Sequence, residues 1–344
     1  MTLVYSFELI KHANIRYRQT VPVLAHCELF AMLSSLGISC DIQHEEMGGS
    51  RFLTFECREL SDLELSFLSS HSSVVFMADK KDGLLHPLPV CFQAYLPEDL
   101  PEVLKYKGKT STTFTRMMIN VAVSLSPFCS REDPLTFFDP VCGKGTGCFC
   151  AVMGGMNAVG LDLDRKDIRE SADYFSRYLK YHKIKHEEKN RSETISGKAI
   201  PVTVFRFSDT KEHYLANDIH TLSLACADTA ESPALLRRNP AHIIAADLPY
   251  GVQHAPQSGA KPEPLLHFLQ RVLPAWKKAL RPYGVIALSF NTLTLPAQHV
   301  RKSLTDAGFT LPKNPLFTQL SHEVEHAVVR DVIFAFNTQE ESSV

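Results

Sequence analysis

One stretch restricts this chain more than any other, Phe138-Asp139-Pro140-Val141-Cys142-Gly143-Lys144-Gly145-Thr146-Gly147. An apolar run ends in an acid, a glycine-rich turn follows, and Gly147–Met153 opens as a helix. Glycines let a backbone turn tightly and approach a ligand with no Cβ in the way. A strand–loop–helix unit of this kind belongs to sheets whose ligands lie beyond the strand ends. The spacing is not that of the dinucleotide fingerprint G-x-G-x-x-G. Nor is it a P-loop, because Gly145 follows Lys144 where Ser or Thr is needed.

The second half of the chain suits such a unit. From about residue 110, helix-like runs (Phe114–Leu125, Lys166–Tyr181, Pro264–Leu280, Ala297–Ala307) alternate with strand-like ones. The strand-like runs are Leu135–Phe138, Ala158–Leu163, Leu222–Ala227, Ile243–Ala246, Gly284–Phe290 and Val328–Phe336. Strands separated by helices predict an α/β fold, a Rossmann-like parallel sheet covered on both faces. The connection from Leu163 to Leu222 is far longer than one crossover helix needs. An insertion is therefore expected at about 182–221, with Val202–Phe207 as one strand of a hairpin. Residues 1–95 carry no glycine-rich motif. Strand-like Leu3–Leu9, Arg51–Cys57 and Ser73–Met77, with helix-like Val21–Leu36 and Leu60–Ser69, predict a small α+β domain that binds substrate. Four prolines in His86–Pro101 mark 96–109 as a linker, which leaves 110–337 as the main domain.

Four strand ends carry acids. Gly160-Leu161-Asp162-Leu163-Asp164 ends the strand after the glycine loop. An acid about 20 residues past such a loop is placed to accept hydrogen bonds from ribose hydroxyls, and Asp162 is the choice. Asp164 is read as the cap of the following helix. Asp228 closes the next strand, where a carboxylate can accept an adenine amino group. Asp247-Leu248-Pro249-Tyr250 closes the one after. An aryl amine is a weak nucleophile, its lone pair being delocalised into the ring. The Asp247 carboxylate and the Leu248 carbonyl can accept its N–H bonds and turn the lone pair toward an electrophile. Tyr250 can stack on the base.

The combination of DPVCGKGT, GLDLD and DLPYG resembles the class I methyltransferases of the amino-group type, whose last motif reads (Asp/Asn/Ser)-Pro-Pro-(Tyr/Phe). With the upstream Tyr106-Lys-Gly-Lys-Thr110 and the helix Phe114–Ala122, it is similar to THUMP-linked tRNA guanine-N2 methyltransferases and their RNA-methylase relatives. The resemblance covers about residues 106–295. It implies S-adenosylmethionine as cofactor, held by Asp139, Pro140, Cys142, Gly143, Gly145, Thr146, Asp162 and Asp228. It implies Asp247, Leu248, Pro249 and Tyr250 as the catalytic set, and tRNA or rRNA as substrate. Two departures stand out. Leu248 replaces the first proline, as a leucine does in the rRNA adenine dimethylases, and no THUMP domain is recognisable ahead of residue 95.

Composition narrows the surroundings. No apolar run reaches 18 residues, so no membrane helix is expected. The N-terminus lacks the basic-then-apolar layout of a signal peptide, which makes the cytoplasm the expected compartment. Nine cysteines without a CxxC pair predict free thiols rather than a zinc site. The net charge of −2 places any RNA-binding face in a local patch. Arg165–Arg191, basic and interleaved with Tyr174, Phe175, Tyr178 and Tyr181, is one candidate. Its aromatic spacing of 3 and 4 fits core packing better. His254 in the loop and His322, Glu323, Glu325 and His326 before the last strand are read as structural, the latter as a solvated hairpin. Adenine-N6 methylation of RNA or DNA, glutamine methylation of a protein, and an inactive RNA-binding subunit of methyltransferase shape are the competing readings.

Overall fold

The computed structural model describes residues 2–11, 15–90, 92–106, 108–131, 133–195, 197–238, 240–249, 257–258, 261–317, 320–325 and 328–338. The first elements are β1 (Thr2–Leu9), α1 (Ile15–Ser35), β2 (Ile42–Met47), β3 (Ser50–Arg58), α2 (Asp62–Ser69), β4 (Val74–Lys81) and β5 (Leu84–Pro87). The five strands form an antiparallel sheet in the order β2-β3-β1-β4-β5. Tyr5, Phe7 and Leu9 alternate inward along β1 and pack with Leu53 and Phe55 of β3 and with Leu29 and Leu33 of α1. β2 escapes sequence reading because only Ile42 of its six residues is buried, which leaves no alternation to detect.

The main sheet follows α3 (Leu100–Val103) and α4 (Thr112–Leu125). In chain order come β6 (Thr136–Asp139), α5 (Thr146–Met153), β7 (Asn157–Asp162), α6 (Arg165–Tyr181), β8 (His186–Ile195), β9 (Lys198–Phe207), α7 (Lys211–Leu215), β10 (His220–Cys226), α8 (Ser232–Leu235) and β11 (Ala241–Asp247). Then follow β12 (Gln257–Ser258), β13 (Lys261–Pro262), α9 (Leu265–Ala279), β14 (Leu280–Asn291), α10 (Ala297–Asp306), β15 (His322–Glu325) and β16 (Val328–Phe336). Nine strands pair in the order β15-β16-β14-β11-β6-β7-β10-β9-β8. The central run β14-β11-β6-β7-β10 is parallel. Numbered in chain order and read from β10 to β14, those five strands stand as 3-2-1-4-5, the doubly wound Rossmann-like arrangement. The winding reverses between β6 and β11, and crevices for ligands open at such a point.

Successive residues of the central strands serve opposite faces. Phe137, Ile243 and Val285 pack with α4, α5 and α6. Phe138, Ile244 and Ile286 pack with α9 and α10. Burial on both faces is why these strands are continuously apolar. Residues 182–221 hold a β8–β9 hairpin that adds two antiparallel strands beyond β10.

The boundary drawn at 96–109 needs correction. Leu96 and Leu100 are 1% and 0% exposed and sit in the core with Phe114 and Phe149. The Tyr95 amide donates to the Met153 carbonyl at 2.8 Å. This stretch is packed structure, its prolines notwithstanding. α1 is shared as well. Its Ala25, Leu29, Met32 and Leu33 face the small sheet, while Val21, Leu24, Cys27 and Ala31 lie in the core of the large one. A helix apolar on two sides must be buried on two sides. Between these stripes Glu28, fully buried, accepts from the Ser72 amide at 2.8 Å and from Asn120 Nδ2 on α4 at 2.7 Å. Among the described residues no helix is long and apolar enough to cross a membrane.

Candidate active site

β6 ends at Asp139, which is 7% exposed and accepts from the Val141 amide at 3.2 Å. The carboxylate lies against the start of α5. A Cβ on residue 147 would fall 2.4 Å from Asp139 Oδ2, so only glycine fits there. Gly145 has φ +88°, and a Cβ on it would meet Ser171 Oγ of α6 at 2.5 Å. The loop between them is tied down by its own backbone. Cys142 N donates to Leu161 O at 2.9 Å, and Gly145 N to Cys142 O at 2.8 Å.

Asp162 secures the loop from the end of β7. Its Oδ2 accepts from the Gly143 amide at 2.8 Å and its Oδ1 from the Asp164 amide at 2.9 Å. Asp164 accepts from Lys166 N and Asp167 N, the N-cap of α6. The Thr146 hydroxyl lies 2.8 Å from the Tyr106 hydroxyl. Burial pushes the Tyr106 phenol up to about 12, so it stays protonated. Lys144 turns aside to Glu170 and Asp167 on α6. Pro140 is buried and Val141 half-buried between these anchors.

The third acid, Asp247, ends β11 in register with Ser289 of β14. Its Oδ1 accepts from Ser289 Oγ at 2.7 Å, and its Oδ2 accepts from the Thr110 hydroxyl. Arg330 of β16 lies 3.6 Å from Oδ2. The Leu248 amide donates to the Ser289 carbonyl at 2.8 Å, and its side chain is buried. This explains the departure from proline. The strand pairing continues one residue past Asp247 and uses an N–H that proline lacks. Pro249 is half-buried. Tyr250 and His254 lie outside the described residues.

Asp139, Asp162 and Asp247 thus come from three adjacent strand ends at the reversal of the winding. Their charges feel one another. Burial first, then the Asp162 and Asp247 charges, push the Asp139 carboxyl up to about 8. Burial also raises Asp162, against the pull of its two amide donors. A positively charged ligand placed among them relieves both effects.

Asp228 is arranged differently from the other acids. It caps a short turn through Ala230 N at 3.0 Å. Both its oxygens accept from Arg271 Nη1, at 3.0 and 2.9 Å, and Arg271 also holds Glu263. An adenine amine would have to share that carboxylate. Tyr174, Phe175 and Tyr178 are buried against the sheet, and Tyr181 alone of the aromatic set stands out at 82% exposure. His322 is 6% exposed, so it departs from the solvated hairpin expected there, whereas Glu323 beside it is exposed; His326 lies outside the described residues. Thr110, Ser289 and Arg330 were not among the sequence candidates. Thr110 belongs to the Tyr106–Thr110 stretch already singled out, whereas nothing local marks Ser289 or Arg330.

A cavity of about 400 Å³ lies elsewhere, between Met32, Leu63 and Phe67 on one side and Arg116, Asn120, Cys150 and Met153 on the other. No residue of the glycine loop, nor Asp162 or Asp247, lines it.

No protein-family model and no curated protein sequence matches the chain. Solved structures similar to this chain include TrmN from Thermus thermophilus, 16% identical, with 86% of this chain and 59% of that one aligned at a TM-score of 0.40. The T. thermophilus 16S rRNA N2 G1207 methyltransferase RsmC, in complex with AdoMet and guanosine, is 12% identical over 88% of this chain and 58% of that one, with a TM-score of 0.37. A ribosomal protein L11 methylase from Lactobacillus delbrueckii subsp. bulgaricus is 12% identical over 67% and 81%, with a TM-score of 0.35. The chain spans about three fifths of the length of the first two. At these values the fold assignment stands on the strand order itself.

Proposed function

We propose that this chain is an S-adenosylmethionine-dependent methyltransferase whose target is an exocyclic amine of a base in RNA, guanine N2 in tRNA or rRNA first. The observation that carries the reading is the convergence of Asp139, Asp162 and Asp247 around the glycine loop where the sheet reverses its winding. The residues suit a cofactor with a cationic centre. Gly143 is half-buried with open space where a Cβ would stand, the Asp162 carboxylate is held rigid by two amides, and Asp139 lacks solvent to stabilise its charge. S-adenosylmethionine supplies an electrophilic methyl group on a sulfonium. Asp162 would receive its ribose hydroxyls, and the loop from Asp139 to Thr146 would wall it.

Asp247 then orients the target. Each carboxylate oxygen already takes one hydroxyl donor and keeps a further lone pair. Accepting an amine N–H there directs the nitrogen lone pair toward the methyl group and stabilises the charge that develops on nitrogen. The preference for an RNA base rests on the DLPYG motif and its resemblance to RNA methylases. Cytoplasmic residence accords with that substrate.

The deciding experiment incubates the protein with labelled S-adenosylmethionine and total RNA from cells lacking the gene, followed by nucleoside analysis. N2-methylguanosine is expected. N6-methyladenosine would move the assignment to adenine. Cofactor binding with no turnover on RNA or protein would favour the inactive RNA-binding subunit.

A further inference from the structure

Asp247 is fixed from three directions by residues far from it in sequence. Ser289 reaches it from β14, Thr110 from the segment ahead of α4, and Arg330 from β16. Arg330 is itself immobilised. Its side chain is 3% exposed, and its guanidinium carbon lies 4.8 Å from the centre of the Phe114 ring on α4. Phe114 is 1% exposed. The His322 ring packs on the same phenyl group, 5.4 Å away. Burial holds His322 down to about 4, so it is neutral near pH 7 and brings no second cation. Asp139, the other acid that Asp247 couples to, is pushed up to about 8 and brings no cation either.

A guanidinium in the interior is expensive in desolvation, and an apolar side chain of like volume would pack there with less loss. Its position therefore has to be read from what it faces. Asp247 is 24% exposed, whereas Arg330 behind it is closed off. The cation lies on the inner side of a carboxylate whose outer side is open.

The geometry points to Arg330 as a positioning residue that, with Thr110 and Ser289, sets the plane of the Asp247 carboxylate so that its remaining lone pairs aim into the cleft. This rests on the reading of Asp247 as the acceptor of the target amine. The planar guanidinium stacks on Phe114 and is almost wholly buried, which restrains its orientation. The two hydroxyls take up one lone pair on each oxygen. What remains free is directional, and a positioned acceptor needs that property, since small misplacements are costly in rate.

The test compares Arg330→Met and Arg330→Lys with the wild-type full chain, using RNA that the wild type methylates. For Arg330→Met, kcat is expected to fall about tenfold or more. The Kd for S-adenosylmethionine, measured by calorimetry, should stay within about twofold, as should KM for RNA. Arg330→Lys should recover part of kcat, because charge returns without the plane. A folded Arg330→Met with wild-type kcat overturns the inference. So does a kcat loss matched by an equal loss of cofactor affinity, which would signify general disruption. If Arg330→Met does not fold, Ser289→Ala and Thr110→Val decide, since they remove the other donors to the same carboxylate. Wild-type kcat in both defeats the inference, and reduced kcat with intact cofactor affinity supports it. A wild type that binds no cofactor and methylates nothing removes the functional reading and this inference with it. Turnover equal in wild type and variants removes only the inference.

Discussion

The Gly143 amide donates to the Asp162 carboxylate at 2.8 Å, which makes the glycine loop and the end of β7 one structural unit. Replacement of Asp162 therefore releases the loop and, under the proposed function, also removes a hydrogen-bond acceptor for the ligand. A hydrogen bond to a charged group contributes about 1.5–3 kcal/mol. Asp162→Ala is expected to weaken S-adenosylmethionine binding at least ~10-fold by calorimetry, since ~1.4 kcal/mol is tenfold. Affinity equal to wild type would take Asp162 out of the site.

Under the proposed function, Asp247 separates orientation from binding. Loss of one preorganised acceptor costs about 10²–10³ in rate. Asp247→Ala should lower kcat by about that factor with cofactor Kd nearly unchanged, and Asp247→Asn should retain part of the activity, because the amide oxygen still accepts. Tyr250→Phe should be mild and Tyr250→Ala severe if the ring stacks on the base. An Asp247→Ala protein with lowered Tm but wild-type turnover per folded molecule would reduce Asp247 to a structural role.

Asp139 makes a pH prediction whose sign is fixed. Burial and two neighbouring carboxylates raise its carboxyl in the folded state to about 8, from the ordinary value of 3.8. Between those values the folded state binds the extra proton. The stability contributed by the neutral form is complete below pH ~4 and is lost as pH rises through ~8. Without ligand, Tm should decline across that window. Asp139→Asn, neutral throughout, should flatten the decline and exceed the wild type at pH 8.5. Parallel Tm profiles for the two proteins would show that Asp139 does not titrate there.

Leu248→Pro tests why this chain departs from the Pro-Pro pattern. The substitution deletes the amide that donates to the Ser289 carbonyl. An acceptor left without its donor costs about 1–3 kcal/mol, and Tm should drop accordingly. A variant as stable as the wild type would show that the strand pairing past Asp247 is dispensable.

The two sheets should unfold together. Leu24 of α1 is 4% exposed within the core of the large sheet. Leu24→Ala is expected to cost about 2–5 kcal/mol. It should lower a single calorimetric transition, and removal of residues 1–95 should leave an insoluble remainder. Two separate transitions would restore the picture of independent domains.

Much of the candidate site's geometry was legible because it is local. Asp139 and Asp162 stand at the ends of apolar runs and the glycines stand between them, so strand, turn and acid read directly along the chain. Asp164 was legible as a cap for the same reason. Arg330 was not. It reaches Asp247 only because β16 pairs antiparallel with β14, a relation between segments about forty residues apart that no local pattern carries. Asp228 looked like the other strand-end acids, and what sets it apart is Arg271, a turn of α9 brought alongside by folding. The false linker at 96–109 came from counting prolines, when Leu96 and Leu100 were the informative residues.

α1 gives the molecule a fixed ruler. One helix is embedded in both cores, and Glu28 within it is bonded to Ser72 on one side and Asn120 on the other. Among the described residues, the small sheet is tied to the large one there by packing and hydrogen bonds on both sides of the helix. Any long polymer gripped by its outer surface would be offered to the cleft at a constant separation. Selection of a target along such a polymer would then be a matter of measured distance from the point of grip, and lengthening the path between the two sheets would change which position is reached.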